Sequence, residues 1–456
     1  MNIRTEKDLL GEQNVPADAY YGIHTQRAVG NFSLTGRPVY LILIESLAQV
    51  KLACLRANKE LGCLSDDVAR LIEDAIDEII SGKFNDSFPV DAFQGGAGTS
   101  FNMNMNEVIA NRALELMGND KGTYNIIHPN DHVNLHQSTN DVFSTAVKVA
   151  VIKLCREASA CIEKLQFAFQ KKEKEFASIV TMGRTEMQEA VPMTMGMIFS
   201  GFSEAFARDR WRMFKSEERL RVVNLGGTAV GTGMCAPRSY IFLVVEKLRE
   251  VTGFGLARAE NAVDQTSNVD VFVEVSGMIK AFGVNLLKVC NDLRDLHSRK
   301  ELVLPKVQAG SSIMPGKVNP VILEAAIQVG MKIIANDSLV SMCSSSGSAQ
   351  INEFLPLLAD ALIESFLLMK RACVMLAEHI SGIGVDIDVC GKMLKMSDGI
   401  LTAFVPVVGY AKATELFNEY SNSSFESVMD FVVDKFGADE VEKILSAGNV
   451  SSLGFK

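Results

Sequence analysis

The sequence lacks any apolar run that approaches the length of a membrane span, and its first residues, MNIRTEKDLLGEQ, lack the apolar segment of a secretory signal. It also lacks an excess of basic residues: acidic residues number 55 and basic residues 45. The formal net charge of -10 argues against a general affinity for nucleic acid or for an anionic membrane, although a local basic pocket for a small anion is compatible with it. We therefore expect a cytoplasmic protein with no nucleic-acid or membrane partner.

Paired cysteine motifs are also missing. The nine cysteines are scattered along the chain with no C-x-x-C spacing. In a large core, which 48 % hydrophobic residues can build, free cysteine behaves as a small hydrophobic residue. We interpret the nine thiols as reduced packing residues.

Proline is scarce, and its gaps predict long helices because proline is excluded from helix interiors. The clearest helix is predicted over 266–297, where apolar residues alternate spacings of three and four for more than three heptads. Residues 141–176 carry a similar stripe. Segments 193–222, 321–343 and 356–382 are also compatible with helices.

Alternation of apolar and polar residues, the pattern of strands, is rare, so the sequence predicts an all-α or mainly α fold. The length suits about three domains. We predict a mostly helical N-terminal domain over 1–138, an elongated central helical bundle over 139–390, and a small helical C-terminal domain over 391–456.

Four stretches concentrate small neutral hydrogen-bonding groups at junctions between loops and helices. They are QGGAGTSFNMNMNE (94–107), HPNDHVNLHQSTND (128–141), GRTEMQEAVP (183–192) and AGSSIMPGKVNP (309–320). Helix capping explains one such side chain per junction, but these stretches hold more than capping requires. The surplus predicts a pocket of donors, and helix N-termini together with Lys317 would favour a carboxylate ligand there.

Two patterns look like familiar sites but lack part of what those sites need. Residues 309–320 contain a Gly-Lys pair, yet the spacing between glycines and Val318 after the lysine do not suit a phosphate loop. His128, His132 and His136 are four apart, but Pro129 interrupts a continuous helix and no further ligand follows, so we predict no metal site there. A turn, surface or second-site role remains open for these histidines.

The glycine-rich segment GGTAVGTG (226–233) follows no predicted strand. A dinucleotide site needs a strand before its glycines, so that function is disfavoured. We interpret this segment as a flexible connection between helices.

Helix direction makes a prediction about assembly. If the long helices alternate in direction, the junction before residue 141 lies at one end of the bundle, and the junctions at 183–192 and 309–320 lie at the other. A second chain packed antiparallel alongside could bring these junctions together, which predicts an oligomer with shared sites. A further bundle helix between residues 223 and 265 would reverse this order.

With these motifs assembled, the chain resembles the aspartase/fumarase superfamily over essentially its full length. GSSIMPGKVNP is similar to the superfamily signature. DLLGEQNVPADAYYGIHTQRA and QGGAGTSFNMNMNEV are similar to the versions in aspartate ammonia-lyases, and HPNDHVN and QSTND complete the set. The resemblance implies a homotetramer in which the five-helix bundles form a twenty-helix core, with each active site built from three subunits.

The resemblance implies the reversible deamination of L-aspartate to fumarate and ammonia, through abstraction of a Cβ proton and an aci-carboxylate intermediate. Removing this weakly acidic proton pushes negative charge onto the adjacent carboxylate, which preorganised donors must stabilise. Ser311 would be the general base, on a glycine-flanked loop able to close over substrate, with its alkoxide favoured by backbone amides and Lys317.

The resemblance also implies binding roles for residues at the matching positions. Those expected to bind the β-carboxylate are Thr99, Ser138, Thr139 and Ser312; those expected to hold the α-carboxylate are Thr185, Lys317 and Asn319; and Asn140 is expected to contact the amino group. Arg27 would have a supporting, structural role. No cofactor and no catalytic metal are implied, although Mg²⁺ activates some members of the superfamily.

One position departs from the superfamily pattern. After GRT, relatives carry His or Gln, whereas this chain carries Glu186. A carboxylate there could pair with a substrate ammonium, or it could repel a dicarboxylate. The sequence therefore leaves open a fumarase, a lyase for an N-substituted aspartate, and a structural protein that retained the fold without activity.

Overall fold

The computed structural model of this chain describes residues 2–452 and 454. Helices dominate it, in agreement with the mainly α prediction, and within the described ranges strands form only two-stranded sheets. No helix in this part of the chain is long and apolar enough to cross a membrane. All nine cysteines are free thiols.

The helices and strands follow one another in a simple order. In the first half they are β1 (Ile3–Asp8), β2 (Gly11–Pro16), α1 (Ile23–Asn31), α2 (Leu41–Glu60), α3 (Asp66–Ile80), α4 (Thr99–Leu116), α5 (Thr139–Glu175), β3 (Val180–Thr185), β4 (Gln188–Thr194), α6 (Met195–Leu220) and β5 (Val222–Val223). They continue with α7 (Arg238–Thr252), β6 (Ala257–Arg258), α8 (Ala262–Ser267), α9 (Asp270–Ser298), β7 (Leu302–Val303), α10 (Val321–Ser345), α11 (Leu355–Ser381) and β8 (Gly384–Val385). The last helices are α12 (Ile387–Met396), α13 (Val405–Val408), α14 (Tyr410–Ser421), α15 (Val428–Phe436), α16 (Ala438–Leu445) and α17 (Ala447–Val450). Short helical turns occupy Asn85–Ser87, Pro129–Val133 and Asp398–Phe404.

The long helices α5, α6, α9, α10 and α11 lie where the apolar stripes and proline gaps predict them, and α5 alone has 37 residues. For two of these helices, the predicted first residue lies a few residues before the observed one. α9 begins at Asp270 because the chain is extended at Asn268, which separates it from the short α8. α6 begins at Met195 because the residues before it, including Pro192, pair as strand β4.

The chain forms two compact units. The first comprises the chain up to Ala158, Arg212–Lys280 and Lys332–Leu368; the second comprises Ser159–Trp211, Ala281–Met331 and the chain from Met369 onward. Each of the five long helices contributes residues to both units. The three-domain division at residues 138 and 390 stays a prediction.

In the first unit, α7 packs along α2, and α3 packs against both α2 and α4. α7 is the helix in the interval 223–265 that could have reversed the predicted order of the junctions. It begins and ends within this unit, so the helices before and after it keep the alternation that the sequence predicts.

The second unit has two apolar clusters. Phe169, Phe199, Phe206 and Phe282 pack ring against ring in the helices, and the rings of Phe169 and Phe206 are stacked with centroids 5.5 Å apart. A second cluster, around Phe404 and Phe431, joins the last helices to Met182 on strand β3. This second cluster fixes the base of the β3–β4 hairpin.

Candidate active site

The residues predicted to bind substrate belong to two groups, one in each compact unit. The first unit holds Thr99, Ser138, Thr139 and Asn140; the second holds Thr185, Glu186, Ser311, Ser312, Lys317 and Asn319. Each group is built around its own polar network.

The N-terminus of α5 is closed by a reciprocal cap. The hydroxyl of Ser138 accepts from the backbone N–H of Asn140 at 3.3 Å, and the backbone N–H of Ser138 donates to Oδ1 of Asp141 at 2.9 Å. Thr139 is buried, and its Oγ1 accepts from Nδ2 of Asn102 at 3.0 Å. The cap fixes where the three predicted ligands Ser138, Thr139 and Asn140 lie.

Beneath these residues lies a buried lysine that the sequence analysis did not identify. Lys51 Nζ donates to Asn134 Oδ1 and to Gln137 Oε1, both at 2.8 Å. Asn134 Oδ1 also accepts from Nδ2 of Asn102 at 3.3 Å, which links the lysine to Thr139. Burial lowers the pKa of Lys51 to about 7. The only signal in the sequence is that this lysine is the single charge in the apolar run SLAQVKLACL.

Thr99 begins α4, directly after a glycine that no other residue could replace without strain. Gly98 has φ +94°, and a Cβ there would lie 2.7 Å from the ring of Phe143. Gln94 fixes the preceding loop, because its Oε1 accepts from the N–H of Phe101 at 3.0 Å. Not every polar residue of this stretch faces a ligand site: Asn104 is fully buried and donates to the carbonyl of Ser87.

The glycine-rich segment 226–233 is not the flexible connection that we expected. Asp141, which is fully buried, accepts through Oδ2 from the N–H of Gly226 at 3.1 Å and of Thr228 at 3.0 Å. A Cβ at Gly231 would lie 2.4 Å from the backbone of Ala262, so the segment is also packed tightly. Burial raises the pKa of Asp141 to about 6, while its three backbone donors favour the charged form. The segment is therefore tied to the start of α5.

In the second unit, Thr185 and Glu186 lie at the tip of the β3–β4 hairpin. Thr185 pairs with Gln188, so Glu186 and Met187 form a two-residue turn, and their φ angles are 52° and 64°. Positive φ at both positions matches the twist of a hairpin but usually selects Asn or Gly, so Glu and Met are strained there. Both side chains are exposed, and the Glu186 carboxylate faces solvent.

A buried ion pair holds this hairpin. The pairing register shifts between Met182 and Arg184, and this bulge brings the Arg184 side chain into the interior. Arg184 Nη1 lies 2.7 Å from Oε2 of Glu301, and Oε1 of Glu301 accepts from Oγ1 of Thr181 at 2.5 Å. Glu301 is fully buried. The sequence analysis did not identify this pair, and no local pattern marks Glu301.

Ser311 lies in a turn whose backbone amides point at its hydroxyl. Oγ accepts from the N–H of Met314 at 2.9 Å and of Ile313 at 3.2 Å. The same two bonds would occur in an ordinary serine turn, and they would also stabilise an alkoxide at Oγ. Ser312 and Lys317 are exposed on the same loop.

The base of this loop is closed by two hydrogen bonds. The N–H of Gly310 donates to the carbonyl of Lys317 at 2.7 Å, and Nδ2 of Asn319 donates to the carbonyl of Gly310, also at 2.7 Å. A Cβ at Gly310 would lie 2.8 Å from the carbonyl of Lys317, so glycine is required. One N–H of Asn319 is thus used by the loop, which leaves the other for a ligand.

Arg27 pairs with the last residue of strand β1. It forms a bidentate pair with Asp8, with distances of 2.8 and 2.9 Å, and donates to the carbonyl of Gly11 at 3.1 Å. Hydrogen bonds from Arg27 hold the pKa of Asp8 below its ordinary value. The arginine therefore ties α1 to the β1–β2 hairpin.

The three histidines take part in local contacts. Nδ1 of His128 accepts from the N–H of Asn130, Nδ1 of His132 accepts from the N–H of His128, and Nδ1 of His136 lies 2.7 Å from Oδ1 of Asn58. Across residues 2–452 and 454, no cluster of three or more His, Cys, Asp or Glu side chains could hold a metal ion.

The helical fold and these polar regions place the chain in a known class of enzymes. The family described as lyase matches residues 11–335, and the chain belongs to that family. It is 43 % identical to an aspartate ammonia-lyase of Bacillus sp., across 99 % of this chain and 98 % of that enzyme. It is 46 % identical to the aspartate ammonia-lyase of Pseudomonas aeruginosa, across 91 % and 89 % of the two chains.

A solved structure gives the same result for the fold. The chain described as fumarate lyase:delta crystallin from Brucella melitensis superposes with a TM-score of 0.94 and is 42 % identical. The similarity covers 97 % of this chain and 98 % of that one. The resemblance to the superfamily is thereby confirmed.

The buried pair under the hairpin gives a stability prediction. Glu301→Gln leaves Arg184 without its counter-charge, and breaking a buried pair in this way costs about 3 kcal/mol or more. Urea unfolding followed by circular dichroism should show this loss. Glu189→Gln, an exposed change on the same hairpin, should alter the free energy of unfolding by less than about 0.5 kcal/mol. Equal stability of the two variants would contradict the assignment of the pair.

Proposed function

We propose that this protein is an aspartate ammonia-lyase, a carbon-nitrogen lyase that interconverts L-aspartate with fumarate and ammonia. The observation that carries the proposal is the similarity at 43 % identity, over 99 % of the chain, to an enzyme of that name. The bonding of the 309–320 loop supports it, because Ser311, Lys317 and Asn319 are all present and the loop is fully braced at its base.

Ser311 is the general base in this proposal. It takes the Cβ proton of aspartate, and the electron pair moves onto the adjacent β-carboxylate to give a doubly charged aci-carboxylate. The amide donors of Ile313 and Met314 favour a charged Oγ, and the ammonium of Lys317 would add to that effect. The intermediate then expels ammonia from Cα and leaves fumarate.

The carboxylates of the substrate are bound by uncharged groups and one lysine. Thr99, Ser138, Thr139 and Ser312 bind the β-carboxylate, whose charge grows during the reaction. Thr185, Lys317 and Asn319 hold the α-carboxylate. Hydroxyl donors held by caps and turns need no reorganisation as the charge develops, which is the condition for strong electrostatic stabilisation.

The amino group is bound by Asn140 and by Glu186. The exposed Glu186 carboxylate at the hairpin tip can pair with an ammonium, which malate lacks. This pairing favours an amino acid over a hydroxy acid. The alternatives are a fumarase and a lyase for an N-substituted aspartate.

The active enzyme is a homotetramer in this proposal, and three subunits contribute to each site. One observation supports an assembly: large apolar side chains on the long helices are exposed. Exposed examples are Phe167, Phe214, Val284, Met342 and Val374. Apolar surface of this kind on long helices is typical of subunit contacts.

We further propose that the enzyme is cytoplasmic. We also propose that it needs no cofactor, because every chemical step above is assigned to side chains of the chain itself. Mg²⁺ would act at most as an activator. Absorbance of the unsaturated product, followed with aspartate, malate and asparagine in turn and repeated with a chelator, tests the substrate and any need for a metal. Rapid malate turnover with no aspartate turnover would replace the proposal with a fumarase.

The base assignment gives the first prediction for activity. Ser311→Ala removes the proton acceptor and should lower kcat by a factor on the order of 10³ or more, with an unchanged assembly and melting temperature. Fumarate absorbance measures the rate, and size-exclusion chromatography checks the assembly. Ser381→Ala, an exposed serine at the end of α11, is the matched control and should retain full activity. Substantial residual activity of Ser311→Ala would remove this serine from the base role.

The ammonium pairing gives the second prediction. Glu186→Gln keeps the size of the side chain but removes its charge, so the KM for aspartate should rise about tenfold, the factor typical of one charge-assisted hydrogen bond. Glu189→Gln, on the same hairpin, should leave the KM unchanged. Unaltered or improved turnover of aspartate by Glu186→Gln would show that the carboxylate is not needed.

A further inference from the structure

We propose that residues 224–229, the segment between β5 and the rest of the glycine-rich stretch, act as a positioning element that orients the amide of Asn140 toward the amino group of the substrate. We call this segment the 224–229 loop. The inference rests on the proposed function and adds residues to it that the motifs of the sequence did not suggest.

The contact that defines the orientation is between Asn140 and Ala229. Nδ2 of Asn140 lies 2.6 Å from the carbonyl oxygen of Ala229. A carbonyl oxygen can only accept a hydrogen bond, so the atom facing it must be the amide nitrogen, and the other end of the amide must be Oδ1. No described residue donates to Oδ1 of Asn140. The side chain therefore presents an acceptor, which is what an ammonium group, a pure donor, requires.

The backbone of Asn140 is held by the same loop. Nδ2 of Asn224 donates to the carbonyl of Asn140 at 3.1 Å and to Oγ1 of Thr266 at 2.9 Å. Asn224 is fully buried. The loop thus makes two hydrogen bonds with Asn140. Asn224 donates to its backbone carbonyl, and the carbonyl of Ala229 accepts from its side-chain amide.

The loop is in turn fixed to the residue that follows Asn140. Oδ2 of Asp141 accepts from the N–H groups of Gly226 and Thr228. Because Asp141 also accepts from the N–H of Ser138, one carboxylate sets the distance between the loop and the start of α5. The loop bonds Asn140 directly, through Asn224 and Ala229, and is linked to Ser138 only through the Asp141 carboxylate.

The backbone of the 224–229 loop is strained at Thr228, next to the Ala229 carbonyl that accepts from Asn140. Thr228 has φ 55°, which is rare for a β-branched residue, and its Oγ1 is buried without a partner among the described residues. Such geometry persists only where the surroundings impose it, and it clusters at functional sites. A connection with no other task could use glycine at this position, as it does at 226 and 227.

A purely structural role, closing the N-terminus of α5, is the competing explanation. The two explanations differ in the amination direction, where fumarate and ammonium are separate substrates. Hydroxyls bind the carboxylates in the proposed function, whereas Asn140 binds the nitrogen. A displaced loop should therefore raise the KM for ammonium and leave the KM for fumarate unchanged. A general loss of structure should change both KM values.

The test uses two variants of the whole protein that displace the loop in different ways. Asn224→Ala removes the bond to the Asn140 carbonyl, and Gly226→Ala places a Cβ 3.2 Å from Cα of Ile241 at a φ of +88°. In steady-state amination, both should raise the KM for ammonium about tenfold, the effect of one misplaced hydrogen bond, and leave the KM for fumarate within about twofold. Asn140→Ala is the reference and should raise the ammonium KM at least as much.

The matched control is Asn111→Ala. Asn111 is a buried amide of the first unit that donates to the carbonyl of Tyr20 and accepts from the N–H of Gly122, with no contact to the loop. Asn111→Ala should lower the melting temperature, but it should not raise the KM for ammonium relative to the KM for fumarate. Parallel changes in both KM values, or none, in the loop variants would overturn this inference alone. Absence of aspartate deamination by the unaltered protein would overturn the proposed function as well.

Discussion

Burial of two carboxylates, those of Asp141 and Glu301, constrains the polar regions of this protein. Both side chains are fully buried, and a buried carboxylate is tolerated only when its oxygens receive hydrogen bonds or an opposite charge. Asp141 receives three backbone N–H groups, and Glu301 receives Thr181 and Arg184. Each carboxylate therefore holds distant segments in one arrangement. Five of the predicted substrate ligands lie next to those segments: Ser138, Thr139, Asn140, Thr185 and Glu186.

This constraint suits the proposed chemistry, in which uncharged groups must hold a doubly charged intermediate. A hydroxyl or an amide stabilises developing charge well only if it is already oriented. The free energy needed to reorient it during the reaction would offset the stabilisation of the intermediate. Ser138, Thr139 and Asn140 are oriented by the cap and by the 224–229 loop. The hairpin that carries Glu186 is oriented by Arg184. The Ser311 loop differs, since its bonds lie in the serine turn and at its base, and residues 312–317 are exposed.

Much of the fold could be predicted from local patterns, whereas the supports of the site could not. Proline gaps and apolar stripes identified α5, α9 and α11, and clusters of small polar residues identified the four junctions. The partners of Asp141 in the glycine-rich segment lie 85 and 87 residues away, and Thr181 lies 120 residues from Glu301. Pairing at such separation leaves no periodic signal, so GGTAVGTG was taken for a flexible connection and Glu301 was not noticed.

In the proposed function, different copies of the chain complete one site. Co-expression of two inactive chains tests it: one carries Thr99→Val and Asn140→Ala in the first unit, and the other carries Ser311→Ala in the second. If the halves come from different subunits, random mixing restores about a quarter of the sites, and aspartate deamination should recover to that level in the purified mixed oligomer. Activity no greater than that of either variant alone would contradict the claim.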